Sequence, residues 1–169
     1  MPYYYHDTIL SMIKKLHHAA FRCQNSEATR EFYEDFLGLP LVHAFEINKT
    51  KTGRKTSVLH TFFKMEDDSH LAFFEAPEQP FNFIDQHDFD LHIALEVSMD
   101  VLTQMFEKGK KSNIETRGIS DHGFISSIYF RDPNGYVVEL TAKKLSSIQS
   151  RNISIQNPHK ILEDWMRKN

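Results

Sequence analysis

The chain has 169 residues, is 40% hydrophobic with 14 phenylalanines, and carries a net charge of −3 with histidine neutral. That length fits one well-filled domain or two small fused modules, and the charge gives no electrostatic case for nucleic acid or an anionic membrane as partner. The single cysteine, Cys23, excludes an intrachain disulfide framework and fits a reducing compartment.

The first 14 residues read as an arm or short helix. In MPYYYHDTILSMIKK the positive charges follow the short apolar part, the reverse of a secretory signal. No stretch approaches the ~20 apolar residues of a membrane span, so a cytoplasmic protein is expected. A strand over about 16–23 leads to Asn25 and Ser26, which are helix-capping types, and to a helix with Ala28, Phe32 and Phe36 on one side. Gly38 and Pro40 suit its end. Strand-like runs follow near 41–47, 57–65 and 70–76, the first two joined by a solvated hairpin tip, KTKTGRK. Residues 77–90 form a linker rich in proline and phenylalanine, either packed at a module junction or covering a cavity.

The order then repeats. A strand over 91–97 precedes Ser98, a cap for a helix carrying Val101, Leu102, Met105 and Phe106 that is expected to stop near Gly109. Strands follow near 113–117, 125–131 and 136–142, the last two joined by the turn residues Asp132-Pro133-Asn134-Gly135. Residues 144–169 read as an extension. It holds an amphipathic helix after Asn157-Pro158, whose side with Ile161, Leu162, Trp165 and Met166 is expected to dock on the domain or on a second subunit.

Four of the strands each carry one metal-binding side chain: His18, Glu75, His92 and Glu139. Strand side chains alternate between faces. Ala19, Phe21 and Cys23 therefore share a face, as do Ile93, Leu95 and Val97, and His18 and His92 point the other way. Glu139 does the same when Val138, Leu140 and Ala142 pack inward. Imidazoles and carboxylates in the middle of a sheet are costly unless paired or bound to a cation, and a metal site accounts for them together. His17 competes with His18 but has the parity of the apolar set and reads as a strand histidine. Cys23 reads as a small buried hydrophobe.

HHAAFRCQN, FYEDFLGLPL, LHIALEV and YFRDPNGYVVEL together resemble the vicinal oxygen chelate superfamily, which holds glyoxalases, bleomycin- and fosfomycin-resistance proteins and extradiol dioxygenases. The resemblance covers residues 15–143. It implies an α+β fold of two βαβββ modules, 16–76 and 91–142, forming a curved open mixed sheet around a divalent metal. His18, His92 and Glu139 occupy the family's ligand positions, joined by Glu75 in glyoxalase-type members. Glu75 could equally stand behind a ligand imidazole.

The run from His122 through Tyr129 and Asp132-Pro133-Asn134-Gly135 to Glu139 resembles the extradiol signature, in which a histidine and a tyrosine precede the glutamate ligand. Ser120 departs from that pattern. Parity puts Tyr129 opposite Ile128 and Phe130, and a turn that keeps Tyr129 beside Glu139 would set its hydroxyl near a bound substrate. His70 precedes its strand as a catalytic histidine does in extradiol enzymes. The expected activity is Fe(II)-dependent cleavage of a catechol-like diol by O2, with Phe73 or the 77–90 phenylalanines lining an apolar pocket. Zn, Ni or Mn are other candidate metals. The alternatives are a glyoxalase-like lyase using two His and two Glu, and a non-enzymic small-molecule-binding module. A small-molecule substrate is implied, and a homodimer is compatible with the resemblance.

Overall fold

A computed structural model describes residues 13–144 and 157–168. The expected N-terminal arm falls almost wholly outside these residues, as does most of the extension before its helix. The element order is β1 (His18–Cys23), α1 (Ser26–Arg30) running into a π-helical turn (Glu31–Phe36), β2 (Leu41–Lys49), β3 (Lys55–Lys64) and β4 (His70–Glu75). Next come β5 (His92–Glu96), α2 (Met99–Lys111), β6 (Thr116–Asp121), β7 (Ile125–Arg131), β8 (Val137–Lys143) and α3 (Pro158–Lys168). Two four-stranded mixed sheets result, ordered β1-β4-β3-β2 and β5-β8-β7-β6. In each, the first strand pairs parallel with the fourth while the others meander antiparallel. The helix after the first strand carries the chain to the far edge, as a parallel pairing requires. The chain divides into two compact units, residues up to Ile84 with Asp132–Gly135, and Asp85–Arg131 with residues from Tyr136 onward.

In the first unit Asn25 caps α1, its side chain accepting from Ala28 N at 2.8 Å. The expected helix is α-helical only to Arg30, and Leu37 N then reaches back to Phe32 O at 3.0 Å. Phe32, Tyr33 and Phe36 are buried. The Tyr33 ring lies 4.6 Å from Phe73 and 5.6 Å from Phe63. Cys23 is buried on the same side of the sheet, and burial pushes its thiol up from the ordinary range.

The turn Asp132–Gly135 is a buried polar knot of this unit. Asp132 accepts from Tyr33 Oη at 3.1 Å and from Asn134 N and Nδ2, both at 2.9 Å, while Asn134 Oδ1 accepts from Gln24 N at 2.9 Å. A turn fixed this way cannot slip by one residue, and that sets the register of the strands it joins.

On the opposite face of the first sheet His60 stacks on Phe74, ring centroids 3.6 Å apart, and donates from Nδ1 to Phe73 O at 3.0 Å. Burial holds its imidazole below the ordinary histidine range. The unfolded chain then binds the proton more readily than the native one. Stability is therefore full above the unfolded value of about 6.5, falls as pH drops below it, and levels off beneath the folded value. Urea midpoints measured from pH 7.5 to 5 should fall, and His60→Phe should flatten that slope.

In the second unit Ser98 caps α2 by accepting from Val101 N at 3.3 Å. The helix does not stop at Gly109. It runs to Lys111, and Asn113 takes the positive φ of 56° beyond its end. Gly109 is instead the point where the helix backbone meets the sheet. A Cβ there would lie 2.5 Å from Phe130 Cε1 and closer still to Thr116 Oγ1. Alanine is the better helix former by about 1 kcal/mol, yet Gly109→Ala should destabilise the protein by about 1–3 kcal/mol through overpacking. A denaturant melt reads the sign directly.

β6 begins later than expected, at Thr116. Among the described residues the apolar face of α3 is exposed, with Ile161, Leu162, Trp165 and Met166 between 51% and 69% accessible. Among the described residues no helix is long and apolar enough to cross a membrane.

Candidate functional site

The site grows from one row across the second sheet. Ala94 on β5, Glu139 on β8, Tyr129 on β7 and Arg117 on β6 are successive register partners. They therefore share a face, and His92, two residues before Ala94, shares it too. Val138, Leu140, Ile128 and Phe130 take the other, buried face.

Parity alone would keep Arg117 and Ser120 on opposite sides of β6. A register shift between Gly118 and Ser120 inserts one residue and returns Ser120 to the face of Arg117. Gly118 allows this, with φ of +111° and Ser127 O only 2.8 Å from where a Cβ would stand. Beyond β6 the chain turns sharply, Gly123 N donating to Asp121 Oδ1 at 2.7 Å and His122 N to Ile125 O at 3.0 Å. This aims His122 back over β7.

The resulting cavity, about 710 Å³, is lined by His92, Glu139, Tyr129, His122, Arg117 and Asp88, with Ser120 and the apolar Phe89, Phe124 and Ile125. His92 Nε2 lies 3.4 Å from Glu139 Oε2. His92 Nδ1 donates to the backbone carbonyl of Asp88 at 2.7 Å. A carbonyl only accepts, so Nδ1 carries a proton, and Nε2 is the ring nitrogen turned toward the carboxylate. This is how metal-ligating imidazoles are commonly held. Glu139 is 7% accessible, an expensive place for a carboxylate without a cation. These two residues fit a divalent metal. Among the described residues no group of three or more His, Cys, Asp or Glu side chains is arranged to hold one.

The Tyr129 hydroxyl and His122 Nε2 share a hydrogen bond of 3.0 Å. Burial, and then the charge of Glu139, push the phenol above its ordinary range, so it stays protonated and able to donate. Arg117 grips Asp88 with two parallel bonds of 2.7 and 2.9 Å, and its guanidinium lies 5.3 Å from the Tyr129 ring. Arg117 holds the Asp88 carboxyl below the usual carboxylate range.

The structure thus brings together His92, Glu139, Tyr129 and His122. The other sequence-expected residues lie in the first unit. His18 and His70 are direct register partners and share a face. His18 Nδ1 is 2.8 Å from Nδ1 of His17, so one of the rings donates to the other, and the rings of His17 and His70 are 6.1 Å apart.

Glu75 does not join His18. It pairs with Cys23, five residues along the strand, and has the parity of Leu71 and Phe73, on the opposite face of the sheet. Its Oε2 accepts from Ser26 N at 2.6 Å, an anion at the start of α1. It lines a separate cavity of about 260 Å³ with Cys23, Arg22, Phe81 and Phe83. Phe73 is likewise in the core against Tyr33 and lines neither cavity. Of the linker phenylalanines, Phe89 lines the larger cavity and Phe81 and Phe83 the smaller. The sequence reading missed Arg117, Asp88 and Phe124. Asp88 acts partly through its carbonyl, which no side-chain pattern reveals.

The solved structures that this chain is similar to share its fold at low identity. The fosfomycin resistance protein FosX from Listeria monocytogenes is 19% identical with a TM-score of 0.60, the match covering 80% of this chain and 98% of that one. A glyoxalase/dioxygenase from Nostoc punctiforme is 23% identical with a TM-score of 0.59, covering 78% and 92%. A glyoxylase/bleomycin resistance protein/dioxygenase domain from Frankia sp. EAN1pec is 14% identical with a TM-score of 0.63, covering 78% and 99%. No curated protein matches the chain. The family model described as Glyoxalase/Bleomycin resistance protein/Dioxygenase superfamily matches residues 15–140. With that match and two βαβββ units on one chain, the protein belongs to the glyoxalase/bleomycin resistance/dioxygenase superfamily.

Proposed function

We propose that the protein is a metal-dependent dioxygenase of the extradiol type, opening the ring of an aromatic ortho-diol with O2. The observation that carries this reading is the 3.0 Å bond between Tyr129 and His122 in the cavity that also holds the facing pair His92 and Glu139. A bound metal would be held by His92 and Glu139, with His18 as the third donor that the family resemblance implies. Two imidazoles and a carboxylate suit Fe(II), which would bring diol and dioxygen together and pass charge between them.

The chain's own residues have separable tasks. The Tyr129 phenol, kept protonated, donates to one diol oxygen and orients the ring. His122 accepts a proton at Nε2 from the diol and can return it to the product. Phe89, Phe124 and Ile125 give the ring an apolar wall. His70 lies in the first unit, as the register partner of His18.

Glu75 on the far face of its sheet from His18 weighs against the two-histidine, two-glutamate lyase. The test is metal analysis of anaerobically purified protein followed by a screen of catechols for yellow ring-cleavage product. About one iron per chain with product formation supports the proposal. Tight Zn or Ni with hemithioacetal turnover, or no retained metal at all, sinks it.

A further inference from the structure

We propose that the Arg117–Asp88 pair makes this cavity select uncharged, apolar-substituted ortho-diols and reject carboxylated ones, an inference that rests on the ring-diol reading above.

A lone arginine beside a ring-binding cavity would favour a carboxylated substrate, because its planar fork matches a carboxylate. Arg117 is not such a receptor. Both terminal nitrogens bind Asp88, at 2.7 and 2.9 Å, and Nε lies 3.5 Å from Glu115 Oε1. Its flat face is turned over the Tyr129 ring at 5.3 Å. An incoming carboxylate would have to displace a bidentate internal partner and would meet the negative charges of Asp88 and Glu139. What the cavity offers a ring substituent is Phe89, Phe124 and Ile125, surfaces that reward methyl, alkyl or aryl groups.

Asp88 is also the switch by which this preference can be reversed. Asn at this position keeps the size, and the backbone carbonyl that holds His92 stays in place, while one negative charge is removed and Arg117 is released.

The experiment measures dissociation constants for 4-methylcatechol and 3,4-dihydroxybenzoate by anaerobic calorimetry, so that no turnover intervenes, on metal-loaded wild type, Asp88→Asn and Arg117→Met. Wild type should bind 4-methylcatechol at least about tenfold tighter. Asp88→Asn should narrow that gap by about tenfold or more and Arg117→Met should widen it, because one unit charge a few ångströms from the ligand changes sign of effect between them. Opposite shifts from the two variants exclude general misfolding as the cause. An unchanged gap in both variants, or a wild-type preference for the carboxylated diol, overturns the inference while leaving the ring-diol reading intact. If neither diol binds wild type, the ring-diol reading fails and this inference falls with it.

Discussion

Replacing Glu139 with glutamine, or His92 with alanine, is expected to abolish both metal retention and diol cleavage while leaving the protein folded. Glutamine keeps the shape of Glu139 and removes only its charge. At a site 7% accessible to solvent that removal relieves a desolvation cost, so stability should hold or rise in the metal-free protein. The same change takes away an anionic donor. His92 is partly exposed, and truncating it leaves the core made by Ile93, Val138 and Leu140 untouched. The loss in metal affinity should exceed the roughly 10- to 100-fold seen when only a supporting residue is changed. Equilibrium dialysis and thermal melts on the same preparations separate the two effects. Lower affinity with an unchanged melt of the metal-free protein supports a ligand role. A melt that falls in step with affinity would mean that the two side chains form only a structural pair.

Much of this site was legible before any coordinates, and the reasons are local. His92 and Glu139 followed from strand parity, which survives because β5 and β8 pair without irregularity. Tyr129 and His122 came through the resemblance, and Tyr129 stands beside Glu139 because the buried Asp132–Asn134 knot forbids a slip between β7 and β8. Arg117 and Ser120 escaped the same logic because the bulge at Gly118 breaks the alternation on β6.

Glu75 is a different case. It has the parity of Leu71 and Phe73 in HLAFFEA, on the face of the sheet away from His18. Its role is to cap α1, and a capping partner from a distant strand is invisible to local sequence patterns. Gly109 was read as a helix stop because glycine ends helices more often than it packs against sheets. Only the proximity of Phe130 and Thr116 distinguishes the two cases. The sheet order itself was carried by the repeated strand–helix–strand–strand–strand succession.

The second large effect concerns Tyr129 and His122. Tyr129→Phe removes one oxygen and leaves the ring beneath Arg117; His122→Gln keeps a hydrogen-bonding side chain on the turn but takes away the imidazole base. Each change should lower kcat by about 10²-fold or more, the lower range for a positioned proton-transfer group. Because the two share one hydrogen bond at 3.0 Å, their effects should not add. If they act as a unit, the double variant should be little worse than the more damaging single. The steady-state constants distinguish their tasks. His122→Gln should lower kcat with little change in KM, whereas Tyr129→Phe, which also loses a contact to the bound diol, should raise KM as well as lower kcat. Additive losses, or a His122→Gln variant that keeps the wild-type kcat, would mean that the bond between them is structural and that the proton moves by another route.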